Sequence, residues 1–243
     1  MSDLPIIELD TTDSTNNYAM QLIDTGQAIN GLAITARSQT GGRGQRGRTW
    51  TDVPGQSLLM SLITDPNRPL TDQFVFNASV AVAIANVLQK LHDGWKVHIK
   101  WPNDIILNDK KAGGILIENV LRGSNWAHSV IGLGLNILQP SFPDKLPFAT
   151  SLMVASGIEF NIAEIRKSIQ RGIIAAIGPD RDLNMNDYNS LLYKAGKYQS
   201  FSNSKESWEA TVMNVQDNGA IRVRLADGSI ATYYHGQVTW DWQ

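Results

Sequence analysis

The sequence predicts an α+β fold, in which helices cover a mixed or antiparallel sheet and a small β-barrel follows on the C-terminal side. Apolar runs of strand length lie close together between residues 96 and 137 and are separated by short turns, as in a meander of hairpins. Apolar residues recur at helical spacing between residues 161 and 177, which indicates a helix with one buried face. After Gly196 apolar and polar residues alternate between closely spaced turns, which is typical of short strands in a barrel.

Length and composition agree with this division. The 243 residues suit one large domain with a small satellite, and a hydrophobic content of 42% suffices for a sizeable core. We place the boundary where the pattern changes, which predicts a first domain at residues 1–195 and a barrel at residues 196–243.

The first half of the chain is predicted to contain both strands and helices. The first helix is bounded by polar caps at Asp13 or Ser14 and by Gly26. A second, very apolar helix is interrupted by polar residues, so we expect a buried core helix there and not a membrane span. The predicted elements are strands at 6–9, 31–37 and 57–63 and helices at 13–26 and 74–91.

The second half is predicted to continue with adjacent strands and then helices. Residues 138–150 contain three prolines and are expected to form a loop. The dipeptides Asn218-Gly219 and Asp227-Gly228 mark turns within the barrel. The predicted elements are strands at 96–101, 104–108, 112–121 and 127–137 and helices at 161–177 and 187–195.

Composition excludes several classes of protein. The net charge is −2, from 21 basic and 23 acidic residues, so the chain is not a general binder of nucleic acid, whose affinity depends on many neutralised phosphates. The absence of cysteine excludes a disulfide framework and thiolate metal sites. The first ten residues lack the features of a signal peptide. We therefore expect a cytoplasmic protein that binds neither DNA nor membranes.

The histidines show no spacing typical of metal ligands, so no protein metal site is predicted. All four are expected to be structural, namely His92, His98, His128 and His235.

The stretch GGRGQRGRTW, residues 41–50, combines glycines with three arginines. Glycine allows the backbone to approach a ligand closely, and guanidinium groups match phosphate or carboxylate oxygens. The stretch is neither a Walker P-loop nor a Rossmann fingerprint, because the spacing differs and no helix follows. Taken alone, it leaves a mobile surface loop and an anion-binding loop open.

The stretch KWPND, residues 100–104, contains a proline that excludes a helix and fixes a corner. That corner brings Lys100, Asn103 and Asp104 together at the end of a strand. A tight turn with a core tryptophan at Trp101 is the alternative interpretation.

Two further stretches carry polar groups with ordinary explanations. The residues STNN at 14–17 begin a helix and are expected to be caps, although their hydroxyl groups also suit a polar ligand. Lys110 and Lys111 precede two glycines in a hairpin, where a lysine is usually solvated.

The order of these motifs identifies a resemblance. Ser-Thr-Asn, the glycine-arginine loop, Lys-Trp-Pro-Asn-Asp, Lys-x-Gly-Gly-Ile-Leu-x-Glu and Ile-Gly-x-Gly-x-Asn follow one another along nearly the whole chain. This arrangement resembles the biotin protein ligase, or biotin–[acetyl-CoA-carboxylase] ligase, family. The resemblance implies a catalytic domain related to class II aminoacyl-tRNA synthetases and an SH3-like C-terminal barrel. Because only thirteen residues precede Ser14, we expect the form without a DNA-binding domain.

The resemblance also implies a reaction in two steps. Biotin and MgATP form biotinyl-5′-AMP and pyrophosphate, and biotin is then transferred to one lysine of a biotin carboxyl carrier protein. ATP and Mg²⁺ are the implied cofactors, with Mg²⁺ brought by ATP. A monomer and a homodimer both remain open.

The resemblance assigns roles to residues of three kinds. The catalytic residues are Lys111, Arg43, Asp104 and Arg48. The biotin-binding residues are Ser14, Thr15, Asn16, Gln39, Arg43, Gly44, Gln45 and Lys111. The ATP- or adenylate-binding residues are Arg46, Arg48, Trp50, Asn103, Gly114 and Asn136. The charges fit these roles, because attack of a carboxylate on a phosphate brings two anions together and cationic groups stabilise that encounter.

Two alternatives belong to other classes of function. A lipoate–protein ligase shares the fold but is expected to carry the loop Arg-Arg-x-Ser-Gly-Gly-Gly, which this sequence lacks. A non-enzymatic RNA-binding protein would use the basic loop, but the net charge of −2 and the single occurrence of the loop argue against it.

Overall fold

The computed structural model describes residues 4–178 and 185–242. The large sheet is formed by β1 (Ile6–Thr12), β2 (Ala33–Gln39), β3 (Ser57–Thr64), β4 (Val97–Lys100), β5 (Asp104–Leu107), β6 (Lys110–Arg122) and β7 (Asn125–Asn136). The helices are α1 (Thr15–Asp24), α2 (Gln73–Gln89), α3 (Leu152–Ser156), α4 (Ile162–Ile177) and α5 (Asn186–Ser190). The small sheet is formed by β8 (Tyr198–Ser202), β9 (Ser207–Val215), β10 (Ile221–Arg224), β11 (Ile230–Tyr233) and β12 (Thr239–Trp240).

The large sheet has the strand order β1-β2-β3-β7-β6-β5-β4. Strands β1 and β2 run parallel, because α1 carries the chain back between them, and the other pairs of this sheet are antiparallel. The predicted mixed sheet is therefore confirmed. Its long central pair, β6 and β7, forms the floor of the candidate site.

Helix α2 is the very apolar helix of the sequence. The stretch Leu70–Gln89 is long and apolar enough to cross a membrane by length and composition. In the structure, α2 packs against α4 and β4, and Phe76, Ile84 and Leu88 are fully buried. It is the core helix that the interrupting polar residues predicted.

The C-terminal strands form a second sheet in the order β11-β10-β9-β8-β12, with antiparallel pairing. Phe201, Val212 and Val223 are fully buried in it. The alternation of apolar and polar residues thus correctly predicted a small all-β unit. The exact division into residues 1–195 and 196–243 stays a prediction.

Two helices differ from the prediction. Helix α3 was not predicted, because its five residues are too few for a periodic pattern; the Ser151 hydroxyl caps it by accepting from the Val154 N–H at 3.0 Å. The helix predicted at 187–195 ends at Ser190. The residues after it extend along β4 instead, where the Ile99 N–H donates to the Leu191 carbonyl at 2.8 Å.

Candidate functional site

A cavity of about 310 Å³ lies between the β6–β7 pair, the glycine-arginine loop and the C-terminal segment. It is lined by fourteen predicted site residues: Ser14, Thr15, Asn16, Gln39, Arg43, Gly44, Gln45, Arg46, Arg48, Trp50, Asn103, Asp104, Lys111 and Gly114. The sequence thus identified residues that the fold brings to one place. Their individual roles stay predictions.

A cluster of neutral polar groups forms one end of the cavity. The Thr15 N–H and hydroxyl both donate to Gln39 Oε1, at 2.8 and 3.1 Å. Ser61 Oγ lies 2.7 Å from Thr15 Oγ1 and 2.6 Å from Asn16 Oδ1. Ser14 occupies the N-cap position of α1, but its side chain makes no capping hydrogen bond. Its hydroxyl is therefore not used as the cap that the sequence suggested.

The glycines of the motif Ile-Gly-x-Gly-x-Asn on β7 provide space for the side chains of Asn16 and Trp50. A Cβ at Gly132 would collide with the Asn16 amide, and a Cβ at Gly134 would lie 2.5 Å from the Trp50 ring. Trp50 therefore lies directly on the backbone where Gly134 pairs with Gly114. The close approach of Asn16 and Trp50 is thus the reason for glycine at positions 132 and 134.

Two polar atoms at this point have no hydrogen-bond partner among the described residues. They are the indole Nε1 of Trp50, a donor, and Oε1 of Gln45, an acceptor, and both are buried. A buried polar atom without a partner costs free energy, so a polar ligand in the cavity would stabilise both.

The glycine-arginine loop is folded as a short hairpin. The Trp50 N–H donates to the Gly42 carbonyl at 3.0 Å, and the Gly44 N–H donates to the Arg48 carbonyl at 2.7 Å. Arg46 has a φ of 55°, in the left-handed region, which turns its guanidinium towards Gly236 of the C-terminal sheet.

Arg43 is bound to a carboxylate that sequence reasoning did not select. Its guanidinium donates to both oxygens of Glu118, at 2.8 and 3.0 Å, and to Asn17 Oδ1 at 2.9 Å. The Asn16 amide also donates to Glu118, at 2.8 Å. Glu118 thus fixes Arg43 relative to α1. Its place at the end of Lys-x-Gly-Gly-Ile-Leu-x-Glu is the sequence feature that could have identified it.

The hairpin of β5 and β6 provides an ion pair. Lys111 Nζ lies 2.6 Å from Asp104 Oδ1. A Cβ at Gly114 would stand 3.7 Å from each of these two atoms, an ordinary contact distance, so neither group requires glycine at this position. The Asn103 amide donates to the Ile115 carbonyl at 2.6 Å, so this side chain is used to fasten the corner to β6.

Asn136 differs from the other predicted residues, because it does not line the cavity. It is buried, and its amide donates to the Thr150 carbonyl at 3.0 Å. In this structure Asn136 holds the segment that follows β7, and its contact with the ribose-phosphate stays a prediction.

Two further residues line the cavity although they were not among the predicted site residues. Lys100 is 4% exposed, and burial lowers its pKa to about 8. His235, expected to be structural, lines the cavity and packs edge-on against Trp101 at 6.0 Å. Burial, together with Arg46 and Arg48 nearby, lowers the pKa of His235. No sequence pattern placed His235 here, because its neighbours lie far away in the chain.

Comparison with known proteins identifies the chain's relatives. A sequence profile described as the biotin/lipoate A/B protein ligase family matches residues 8–136, which is more than half of the chain. The chain belongs to this family. Within the ligase family, the bifunctional ligase/repressor BirA of Bacillus spizizenii is 32% identical over 227 residues, which cover 92% of this chain and 64% of that protein. The chain therefore spans somewhat less than two thirds of the length of that relative.

Two other comparisons bear on the same ligase fold. A biotin–[acetyl-CoA-carboxylase] ligase of Paracoccus denitrificans is 33% identical over 128 residues, covering 52% of each chain. The solved biotin protein ligase of Aquifex aeolicus in complex with biotin and ATP has a TM-score of 0.80 at 20% identity, covering 98% of this chain and 99% of that one. At that identity the structural likeness establishes the fold alone.

Proposed function

We propose that this chain is an ATP-dependent biotin–[acetyl-CoA-carboxylase] ligase. The observation that carries the proposal is the composition of one cavity. Beside Gly132 it has neutral donors and acceptors together with the Arg43–Glu118 ion pair, and beside Gly114 it has the cations Arg48, Lys100 and Lys111. A molecule with a ureido group, an apolar body and a carboxylate matches this arrangement of polar and cationic groups along the cavity. The names of the two relatives and the Aquifex complex with biotin and ATP support the same assignment.

In the proposed first step, the biotin carboxylate attacks the α-phosphorus of ATP and pyrophosphate leaves. Ser14, Thr15 and Gln39 would hold the ureido edge, because this edge requires both donors and acceptors. Lys111 and Arg48 would neutralise the two anions that meet. Among the described residues, no group of three or more His, Cys, Asp or Glu is placed to hold a metal ion. We propose that Mg²⁺ arrives with ATP and would supply further charge neutralisation at the phosphates.

In the proposed second step, a lysine of the carrier protein attacks the acyl carbon and AMP leaves. An ordinary lysine with a pKa of about 10.4 is mostly charged at pH 7. Forming the neutral amine that attacks therefore costs about 4.6 kcal/mol at that pH. Asp104 lies beside Lys111 at the cavity and would accept the proton that the amine loses. The partner that we propose is a biotin carboxyl carrier protein, and a cytoplasmic location suits such a partner. The repressor activity in the Bacillus name is not part of the proposal.

Pyrophosphate exchange into ATP tests the first step. We expect exchange that requires biotin and that lipoate or RNA does not support. Exchange with lipoate in place of biotin would favour the other branch of the family, and no exchange with either acid would contradict the proposal. Transfer to a carrier domain, detected with labelled avidin, tests the second step.

A further inference from the structure

One wall of the cavity comes from the C-terminal segment, which we define as residues 235–242. The members that line the cavity are His235, Val238, Thr239, Trp240, Asp241 and Trp242. This wall stands at the cationic end, since the Arg46 guanidinium lies against Gly236 and the Lys100 ammonium against Trp240. The neutral polar cluster at the other end is formed by residues of α1, β2 and β3.

Lys100 holds this segment directly. Its Nζ donates to the Trp240 carbonyl at 2.7 Å and lies 4.0 Å from the centre of the Trp242 ring. Within residues 4–178 and 185–242, no carboxylate forms an ion pair with Lys100. A buried ammonium without a carboxylate is costly, so its favourable contacts are this carbonyl and the aromatic faces. An apolar side chain at position 100 would pack against Trp240 and Trp242 equally well.

The neighbouring residue strengthens the attachment. The Trp101 indole N–H donates to the Gly219 carbonyl at 2.9 Å, in the turn between β9 and β10. The two ends of the motif KWPND therefore have different partners. Lys100 and Trp101 contact the C-terminal sheet, whereas Asp104 contacts Lys111.

We propose that Lys100 is a positioning residue that fixes the C-terminal segment over the phosphate end of the cavity, so that the C-terminal sheet controls nucleotide binding. This inference rests on the proposed function, because that function places the nucleotide at the cationic end. The polar cluster, where biotin would be held, is instead joined through Thr15, Gln39 and Ser61, which belong to α1, β2 and β3.

The variant Lys100→Met tests the proposal, since it removes the charge and keeps an unbranched apolar chain. We expect the KM for ATP in pyrophosphate exchange to rise about tenfold, as suits the loss of a charged hydrogen bond, while the Kd for biotin stays within about twofold. Amide hydrogen exchange of residues 235–242 should become faster. Lys194→Met is the matched control, because Lys194 also contacts an aromatic ring, at 5.1 Å from Tyr193, but lies outside the cavity.

An unchanged KM for ATP, or equal weakening of ATP and biotin binding, would overturn the proposal. Amide hydrogen exchange tests this proposal separately from the proposed function, because the exchange rate of residues 235–242 can be measured even in a protein without activity. Unchanged exchange in Lys100→Met would also overturn the proposal. If that variant does not fold, Trp242→Leu removes the half-buried ring beside the ammonium. It should show the same selective rise in the KM for ATP, and its absence would contradict the proposal.

Discussion

Among single residues, Lys111 is the group for which the structure offers the clearest test. Lys111→Ala should abolish exchange of pyrophosphate, because it removes a cation that would neutralise the two anions that meet in the first step. Its partly exposed ion pair with Asp104 contributes at most about 1 kcal/mol to stability, so the fold should persist. Lys110→Ala, an exposed lysine in the same strand, is the control and should retain exchange. Exchange close to the wild-type rate in Lys111→Ala would end this assignment.

Asp104 is expected to separate the two steps. Asp104→Asn keeps an acceptor near Lys111 but cannot take a proton from an incoming amine. Transfer to the carrier protein should therefore fall at least about tenfold further than pyrophosphate exchange, as suits loss of a general base. Single-turnover measurement of each step gives the comparison. Equal losses in both steps would show that Asp104 acts through Lys111 alone.

Gln45 is a neutral residue among the arginines of the glycine-arginine loop. A neutral donor contributes less than a charged one to a bond with phosphate, by about 1 kcal/mol, which is roughly fivefold in affinity. The next residue, Arg46, lies against Gly236 of the C-terminal segment. Gln45→Arg should therefore slow release of biotinyl-5′-AMP several-fold, with little change in biotin affinity. Trapping of released adenylate measures this, and an unchanged rate would show that the loop already has sufficient charge.

Among the elements, the glycine-arginine loop is expected to respond to ligand. Its hairpin has two backbone hydrogen bonds near its base, while Arg46 and Gly47 at its tip are exposed. We predict that a protease specific for arginine cuts within residues 41–48 readily in the empty protein and slowly with biotin plus ATP, because closure over ligand buries the tip. ATP alone and biotin alone are the controls. Equal cutting rates in all conditions would contradict closure.

The sequence predicted most elements because their patterns are local. The apolar runs of β6 and β7 and the helical spacing of α4 depend on residues close in the chain. The same information was insufficient for α3, which is one short turn, and for the end of α5, where pairing with Ile99 competes with the helix. Most of the site residues predicted from the order of the motifs line one cavity. Asn136 lies outside that lining and donates to a carbonyl in the next segment, so its ligand role stays a prediction.

On the scale of the whole molecule, contacts between distant residues were not predictable. Lys100 and Trp240 are 140 positions apart, and Arg43 and Glu118 are 75 apart. Periodicity shows which face of an element is buried, but not which other element covers it. This is why the C-terminal segment, with His235, was absent from the predicted site.

The buried Lys100 should also make stability depend on pH. Its pKa is lowered to about 8 in the folded protein from an ordinary value of 10.5, so the unfolded chain binds more protons between these values and stability rises with pH. The charges that surround it are Asp104, Lys111, Asp241 and Arg48. Relative to Lys100→Met, the free energy of unfolding should rise on the order of 2 kcal/mol between pH 7 and pH 10.

Urea denaturation of both proteins at each pH measures this difference. The comparison with Lys100→Met removes the opposing effect of tyrosines such as Tyr193, whose pKa burial raises. Parallel pH profiles for the two proteins would show that the ammonium is solvated in the folded state.

The C-terminal wall of the cavity has a consequence for synthesis of the protein. Residues from Ser14 to Trp242 line one site, so the first and last of these residues leave the ribosome at very different times. At 5–20 residues per second, the interval between the emergence of Trp50 and that of Trp240 is about 10–40 s. During this time the glycine-arginine loop, the β6–β7 floor and the Asp104–Lys111 pair exist without their final wall. A nascent chain thus acquires a complete cavity only after residues 235–242 have emerged and docked on Lys100.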